Sequence, residues 1–180
     1  MRLPTTLQLA VAALATLTSL AGCADAPTAA ARANELRASR DAAVAGIERP
    51  WTGRCEVEHS ITGFDAITGQ PATFLVTGTC QLAHLGRTSV VTEETGSVGG
   101  SFTGTSTYVA ANGDKLYATV SGVSTGGPDG SISNSGTVTV AGGTGRFAGA
   151  SGTAAYFDIA QITGPTTAAG VYTLDGWLTY

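Results

Sequence analysis

The sequence predicts an all-β protein: a single eight-stranded antiparallel β-barrel after a signal peptide and an alanine-rich tether. Three observations carry that expectation. From Trp51 onward, apolar residues recur at every second position, the period of a half-buried strand and not of a helix. Runs rich in Val, Thr and Ile are separated by clusters of Gly, Asn, Asp and Pro, which favour turns. About eight such runs fit between residues 50 and 180 with almost no helical pattern, as small barrels and sandwiches require.

The division of the chain follows. Residues 1–22 read as a signal peptide, 23–49 as a mature N-terminus and flexible tether, and 50–180 as the barrel. Arg2 precedes an apolar run from Leu7 to Leu20, too short for the roughly 20 apolar residues of a spanning helix. The run ends in Leu20-Ala21-Gly22-Cys23, which resembles the lipobox of bacterial lipoproteins. That resemblance implies a diacylglycerol on the Cys23 thiol and membrane attachment through it. Ordinary cleavage after Ala26, and hence secretion, is the alternative. Three cysteines is an odd number for an exported protein. If Cys23 is acylated, Cys55 and Cys80 remain as a disulfide pair in a compartment where disulfides persist. Ala24 follows the cysteine, where an aspartate would resemble an inner-membrane retention signal. The expected place is therefore the cell envelope, at the outer membrane if the organism has one. The alanine-rich segment that follows offers only Leu36, Val44 and Ile47 as apolar contacts, too few to hold an isolated helix in water.

Within the barrel, Cys55, Val57, His59 and Ile61 share a face, as do Phe74, Val76, Gly78, Cys80 and Leu82. Placing Cys55 opposite Cys80 sets Val57 against Gly78, His59 against Val76 and Ile61 against Phe74. A slip of one residue would turn every one of these side chains to the wrong side. Closing that loop stabilises by about 3.5 kcal/mol in the chain-entropy picture. Thr88 to Glu94 forms a more polar third strand, with Glu93-Glu94 as a solvated edge. Strands four and five meet through Ala111-Asn112-Gly113. A three-residue loop with Gly113 left-handed gathers Phe102, Tyr108, Leu116, Ala118 and Val120 on one face. The sixth strand turns Ile132, Val138 and Val140 inward. The seventh is read with Ala155, Phe157 and Ile159 inward, and Tyr156 and Asp158 on the other face. The last places Tyr172, Leu174, Leu178 and Tyr180 together.

Between strands six and seven lies Val140 to Ala155, the most unusual stretch of the chain. Gly143-Thr144-Gly145-Arg146-Phe147-Ala148 has the spacing of a dinucleotide fingerprint, but that mechanism needs a helix start at the pyrophosphate. Gly149-Ala150-Ser151-Gly152 breaks helices, so a tight turn with Phe147 plugging a barrel end is the better reading. Gly142 to Gly152 resembles the corresponding turn in the allene oxide cyclase and dirigent barrel superfamily, and more closely its bacterial secreted members. His84-Leu85-Gly86-Arg87 and Ala110 to Leu116 resemble the same bacterial proteins, so the likeness covers roughly residues 78 to 180. It implies an eight-stranded antiparallel barrel with a central cavity. The plant members cyclise an epoxide or steer radical coupling with polar residues inside the cavity. Those residues do not match this chain one by one, so no activity carries over.

The chemistry-bearing residues are few. With a net charge of −4 and no Lys/Arg cluster, the chain offers nothing to a phosphate backbone, which excludes nucleic acid. No Gly-x-Ser-x-Gly elbow occurs. Asp129 suits a turn better than a calcium site. His59 and His84 are read as inward and near the Cys55–Cys80 bridge, too few for a metal set of three or four ligands. Neither a metal nor another cofactor is implied, and no oligomeric state is specified. The candidate ligand contacts are His59, His84, Phe102, Tyr108 and Arg146, with no residue assigned to catalysis. The expected function is non-catalytic binding of a small apolar ligand, or a structural role at the cell surface. The alternative is a cyclase- or dirigent-like enzyme using Tyr108, His59 or His84 as acid or base. Mass spectrometry of the N-terminus tests the anchor. We expect a diacylglycerol-modified Cys23 as first residue; an unmodified chain starting after Ala26 would overturn it.

Overall fold

The computed structural model describes residues 46–180. The signal peptide, Cys23 and most of the tether lie outside the described residues. The remainder is all-β: eight antiparallel strands close into a barrel, and one short strand adds outside it. In chain order these are β1 (Glu48–Pro50), β2 (Gly53–Phe64), β3 (Pro71–Leu82), β4 (Gly86–Gly96), β5 (Ser101–Ala110), β6 (Lys115–Gly126), β7 (Ser131–Gly143), β8 (Ser151–Gly164) and β9 (Thr167–Thr179). Each strand pairs with the next in sequence from β2 to β9, and β9 pairs back onto β2 to close the ring. The outside strand β1 pairs with the end of β9, through Arg49 opposite Leu178. Closure leaves the barrel strands without an exposed edge, the natural solution for a chain so rich in Thr, Val and Gly.

The expected registers are present. Cys55 is bonded to Cys80, and Val57, His59 and Ile61 face Gly78, Val76 and Phe74. Across the β5–β6 hairpin, Tyr108 pairs with Leu116 and Gly104 with Val120. The loop of Ala111-Asn112-Gly113 puts Gly113 at φ 86°, a backbone state that side-chain-bearing residues rarely tolerate. Phe102, Tyr108, Leu116, Ala118 and Val120 are all buried. In β4, Thr88 is buried as well and satisfies its hydroxyl by donating to the Gly86 carbonyl.

Three placements differ from the sequence reading. In β8 the two faces are exchanged: Phe157 is 50% exposed and Ile159 49%, while Tyr156 is buried and Asp158 is 0% exposed. The cause is the pairing on both sides. Tyr156 lies opposite Leu174, and Asp158 opposite Tyr172 and Asn134. Directly paired residues share a face, so Tyr172 and Leu174 draw their partners inward. The second difference is Glu94, which points into the barrel and is partly buried, whereas Glu93 is solvated. The third is His84. It occupies the turn after β3 at φ 63° and is exposed, while its neighbour Leu85 tucks inside.

One end of the barrel is closed. Gly145–Phe147 forms a single 3-10 turn with no helix behind it, so no helix start is available for a dinucleotide. Thr144 exchanges hydrogen bonds with Lys115: its N–H donates to the Lys115 carbonyl, and its hydroxyl accepts from the Lys115 N–H. This ties the turn to the β5–β6 hairpin. Phe147 is fully buried and stacks edge-on against Tyr180. Truncating it should leave a cavity with no chain able to collapse into it. We expect Phe147→Ala to lower the unfolding free energy by about 3 kcal/mol, read from the shift in urea midpoint at unchanged slope.

Candidate functional site

The opposite end is open. Its mouth leads into a cavity of about 250 Å³ walled by Ile61, Pro71, Phe74, Val98, Ile132 and Ile162. Past His59, Phe74, Val98 and Ile132 the space narrows to about 50 Å³ and reaches Glu94, Phe102 and Asn134. Beyond Glu94 only a void of about 10 Å³ remains among Tyr108, Tyr156 and Tyr172. The barrel is thus packed in its lower half and hollow in its upper half, at the small end of the range for ligand sites.

Three ionisable side chains meet where the hollow ends. Asp158 is carried by β8 and receives a hydrogen bond from Asn134 Nδ2 at 2.7 Å. His59 on β2 brings Nε2 to 3.3 Å from the same Asp158 oxygen. That approach is within ion-pair range but not aligned as a hydrogen bond, so His59 Nε2 and Asp158 Oδ1 are both buried without a partner. The strand between them, β9, carries only Ala168 and Gly170 at the positions paired with His59 and Val57, which leaves room for the imidazole. Glu94 on β4 completes the set. Its neighbour across the sheet is Gly104, where a Cβ would come within 2.9 Å of Glu94 Cγ; the glycine makes space for the carboxylate. Among the described residues no group of three His, Cys, Asp or Glu is placed to hold a metal ion.

Electrostatics follow from burial. Desolvation pushes the Glu94 carboxyl up to about 7; His59 opposes the rise and the Asp158 charge adds to it. Below this trio, burial holds the Tyr108 hydroxyl up at about 12, and raises Tyr156 and Tyr172 further. All three tyrosines therefore remain neutral hydroxyl groups at ordinary pH. Tyr172 donates to Tyr108 at 3.4 Å and lies 3.6 Å from Cys80 Sγ. Thr92 and Ser106 satisfy each other at 2.9 Å. Rings meet edge-on between Phe102 and Tyr156 and between Tyr156 and Tyr172.

The chain matches no protein-family model, no curated protein and no solved structure. Its functional reading therefore rests on its own geometry.

Of the five candidate ligand contacts, the structure brings three to this interior. His59 and Phe102 line the hollow, and Tyr108 lies beneath it. His84 and Arg146 sit at the other end. Arg146 is exposed, 3.9 Å from Asp114 through Nε, and covers the Phe147 ring at 4.7 Å. It serves as a rim pair and lid over the plug. Sequence reading missed Glu94, Asp158, Asn134 and Tyr156. The signal for Glu94 was its parity with Val90 and Thr92; for Asp158 and Tyr156 it was the pairing with Tyr172 and Leu174, which apolar counting within one strand ignores.

A raised carboxyl is also a stability statement. Between the ordinary glutamate value of 4.5 and about 7, the folded protein retains a proton that the unfolded chain has released. Stability from this group therefore falls as pH rises through that window and stays lower above it. We expect Glu94→Gln to raise the unfolding free energy at pH 8 by on the order of 2 kcal/mol relative to wild type, and to leave it unchanged at pH 4. Denaturant titration of both proteins at the two pH values reads the difference; an equal effect at both would mean the carboxylate is not the cause.

Proposed function

We propose that this chain is an exported, lipid-anchored β-barrel that binds a small, largely apolar molecule through its open end and performs no covalent chemistry on it. One observation carries the reading: an apolar channel ends at His59 and Glu94, beside two buried polar atoms that have no partner within the protein, His59 Nε2 and Asp158 Oδ1. Buried polar groups are normally satisfied, and leaving them open costs about 1–3 kcal/mol each. A site that bears this cost is suited to a ligand carrying its own polar group to the end of the channel. The apolar walls of Ile61, Phe74, Val98 and Ile132 would hold the rest. Export is supported by the lipobox at Cys23 and by the Cys55–Cys80 disulfide, a bond that persists in oxidising compartments. The turn around Phe147 supports kinship with the allene oxide cyclase and dirigent barrels.

A second reading is favoured by one specific feature. A carboxyl near 7 beside an imidazole is tuned for proton transfer at neutral pH, as a cyclase- or dirigent-like reaction on a hydrophobic molecule would require. Turnover of an epoxide or phenoxy substrate that disappears in His59→Ala and Glu94→Gln would favour catalysis over simple binding.

The binding reading is tested by filling the channel. Ile132→Trp places an indole where both parts of the hollow meet. Protein purified from its native host should release a small apolar molecule on denaturing extraction, detectable by mass spectrometry. The substitution should abolish that recovery while the circular dichroism spectrum stays that of a β-barrel. Equal recovery from both proteins would sink the proposal.

A further inference from the structure

Resting on the binding reading above, we infer that the ligand is a cation: a compact apolar molecule bearing a protonated nitrogen, seated with its charge between Glu94 and the Asp158–His59 pair. Three observations converge on it. The charge facing the channel is one-sided. The Glu94 carboxyl of β4 and the His59 imidazole of β2 line the hollow, the Asp158 carboxyl of β8 is buried against His59, and no lysine or arginine is among the residues lining the hollow or the void beneath it. With both carboxyls ionised the site is therefore net negative whether His59 is charged or neutral.

The unsatisfied chemistry is also one-sided. Asp158 is 0% exposed, and its Oδ1 has no partner. That atom can only accept a hydrogen bond while the carboxyl is ionised. On Glu94 the acting influences are burial and the charges of His59 and Asp158, with no hydrogen bond among them. What the two carboxyls lack is a donor, and a charged donor most of all.

The walls suit a cation as well. Phe74 and Phe102 both line the narrow part of the hollow beside Glu94; aromatic faces attract a cation within about 6 Å. An anionic head group, by contrast, would enter a poorly solvated space already holding like charge, where repulsion is strong. A neutral alcohol could donate one hydrogen bond but would leave the excess charge uncompensated.

The cationic seat predicts an order among probes of one shape. Full-length protein is titrated with 2-phenylethylammonium, 2-phenylethanol and phenylacetate by calorimetry at pH 8, with chemical-shift changes at Ile132 and Phe102 locating the binding. We expect the ammonium to bind about tenfold more tightly than the alcohol, and phenylacetate least. Lowering the pH to 5.5 should erase the preference as Glu94 takes up its proton; the amine stays charged over that range. The other titratable groups facing Glu94 are His59 on β2, Asp158 and Tyr156 on β8, Tyr108 on β5 and Tyr172 on β9. The tyrosines stay neutral over this range. Glu94→Gln should flatten the ammonium preference at pH 8 in a protein that remains folded. If the alcohol or phenylacetate binds as tightly as the ammonium with the same shift changes, the cationic ligand is refuted and the binding reading stands. An ammonium preference that survives Glu94→Gln also refutes the proposed seat. If none of the three perturbs Ile132 or Phe102, both readings fall together.

Discussion

Closing a sheet into a ring removes a freedom that an open sheet retains. An edge strand can rotate or slip to suit its own side chains, but every strand of this barrel is paired on both sides. The inward set of one strand is then dictated by its neighbours, because paired residues must point the same way. The Cys55–Cys80 bond fixes that parity covalently between β2 and β3, and pairing transmits it around the ring in both directions. Tyr172 pairs with Cys55 on one side and Asp158 on the other. The bond that staples the barrel thus stands two pairings away from Asp158 of the candidate site.

This transmission explains which parts of the structure were legible in the sequence. Strand number, the Cys55–Cys80 register, the loop at Ala111-Asn112-Gly113 and the Phe147 plug all follow from local pattern and turn chemistry, and each stands in the structure. The interior of β8 does not. Its own residues favour Phe157 and Ile159 inward by hydrophobicity, and only the pairing with Leu174 and Tyr172 reverses the choice. Burying Asp158 instead of Phe157 costs solvation that no single-strand argument anticipates. Glu94 was hidden in a different way: beside Glu93 it looked like a charged edge, and in a closed barrel no edge exists.

The interior accordingly divides into two halves with different physical logic. Toward the closed end, Trp51, Tyr108, Leu116 and Leu178 are fully buried, and Trp51 meets Tyr108 edge-on. Toward the mouth, small or absent side chains at Gly104, Ala160, Ala168 and Gly170 leave room for charged groups and for the hollow they face. The packed half supplies stability, and the hollow half gives some of it back: the raised Glu94 carboxyl and the unpaired Asp158 oxygen both make the folded state less favourable than an apolar filling would. A barrel selected only for stability would have no reason to keep them.

The plug also orients the molecule. The β1 strand and the last residues of β9 pair with each other beside the closed end, where Tyr180 meets Phe147. Both ends of the described chain therefore leave from the floor of the barrel, and the mouth lies at the far pole. A hollow with a single mouth also imposes an order on any traffic through it: whatever entered would have to back out before another molecule could follow.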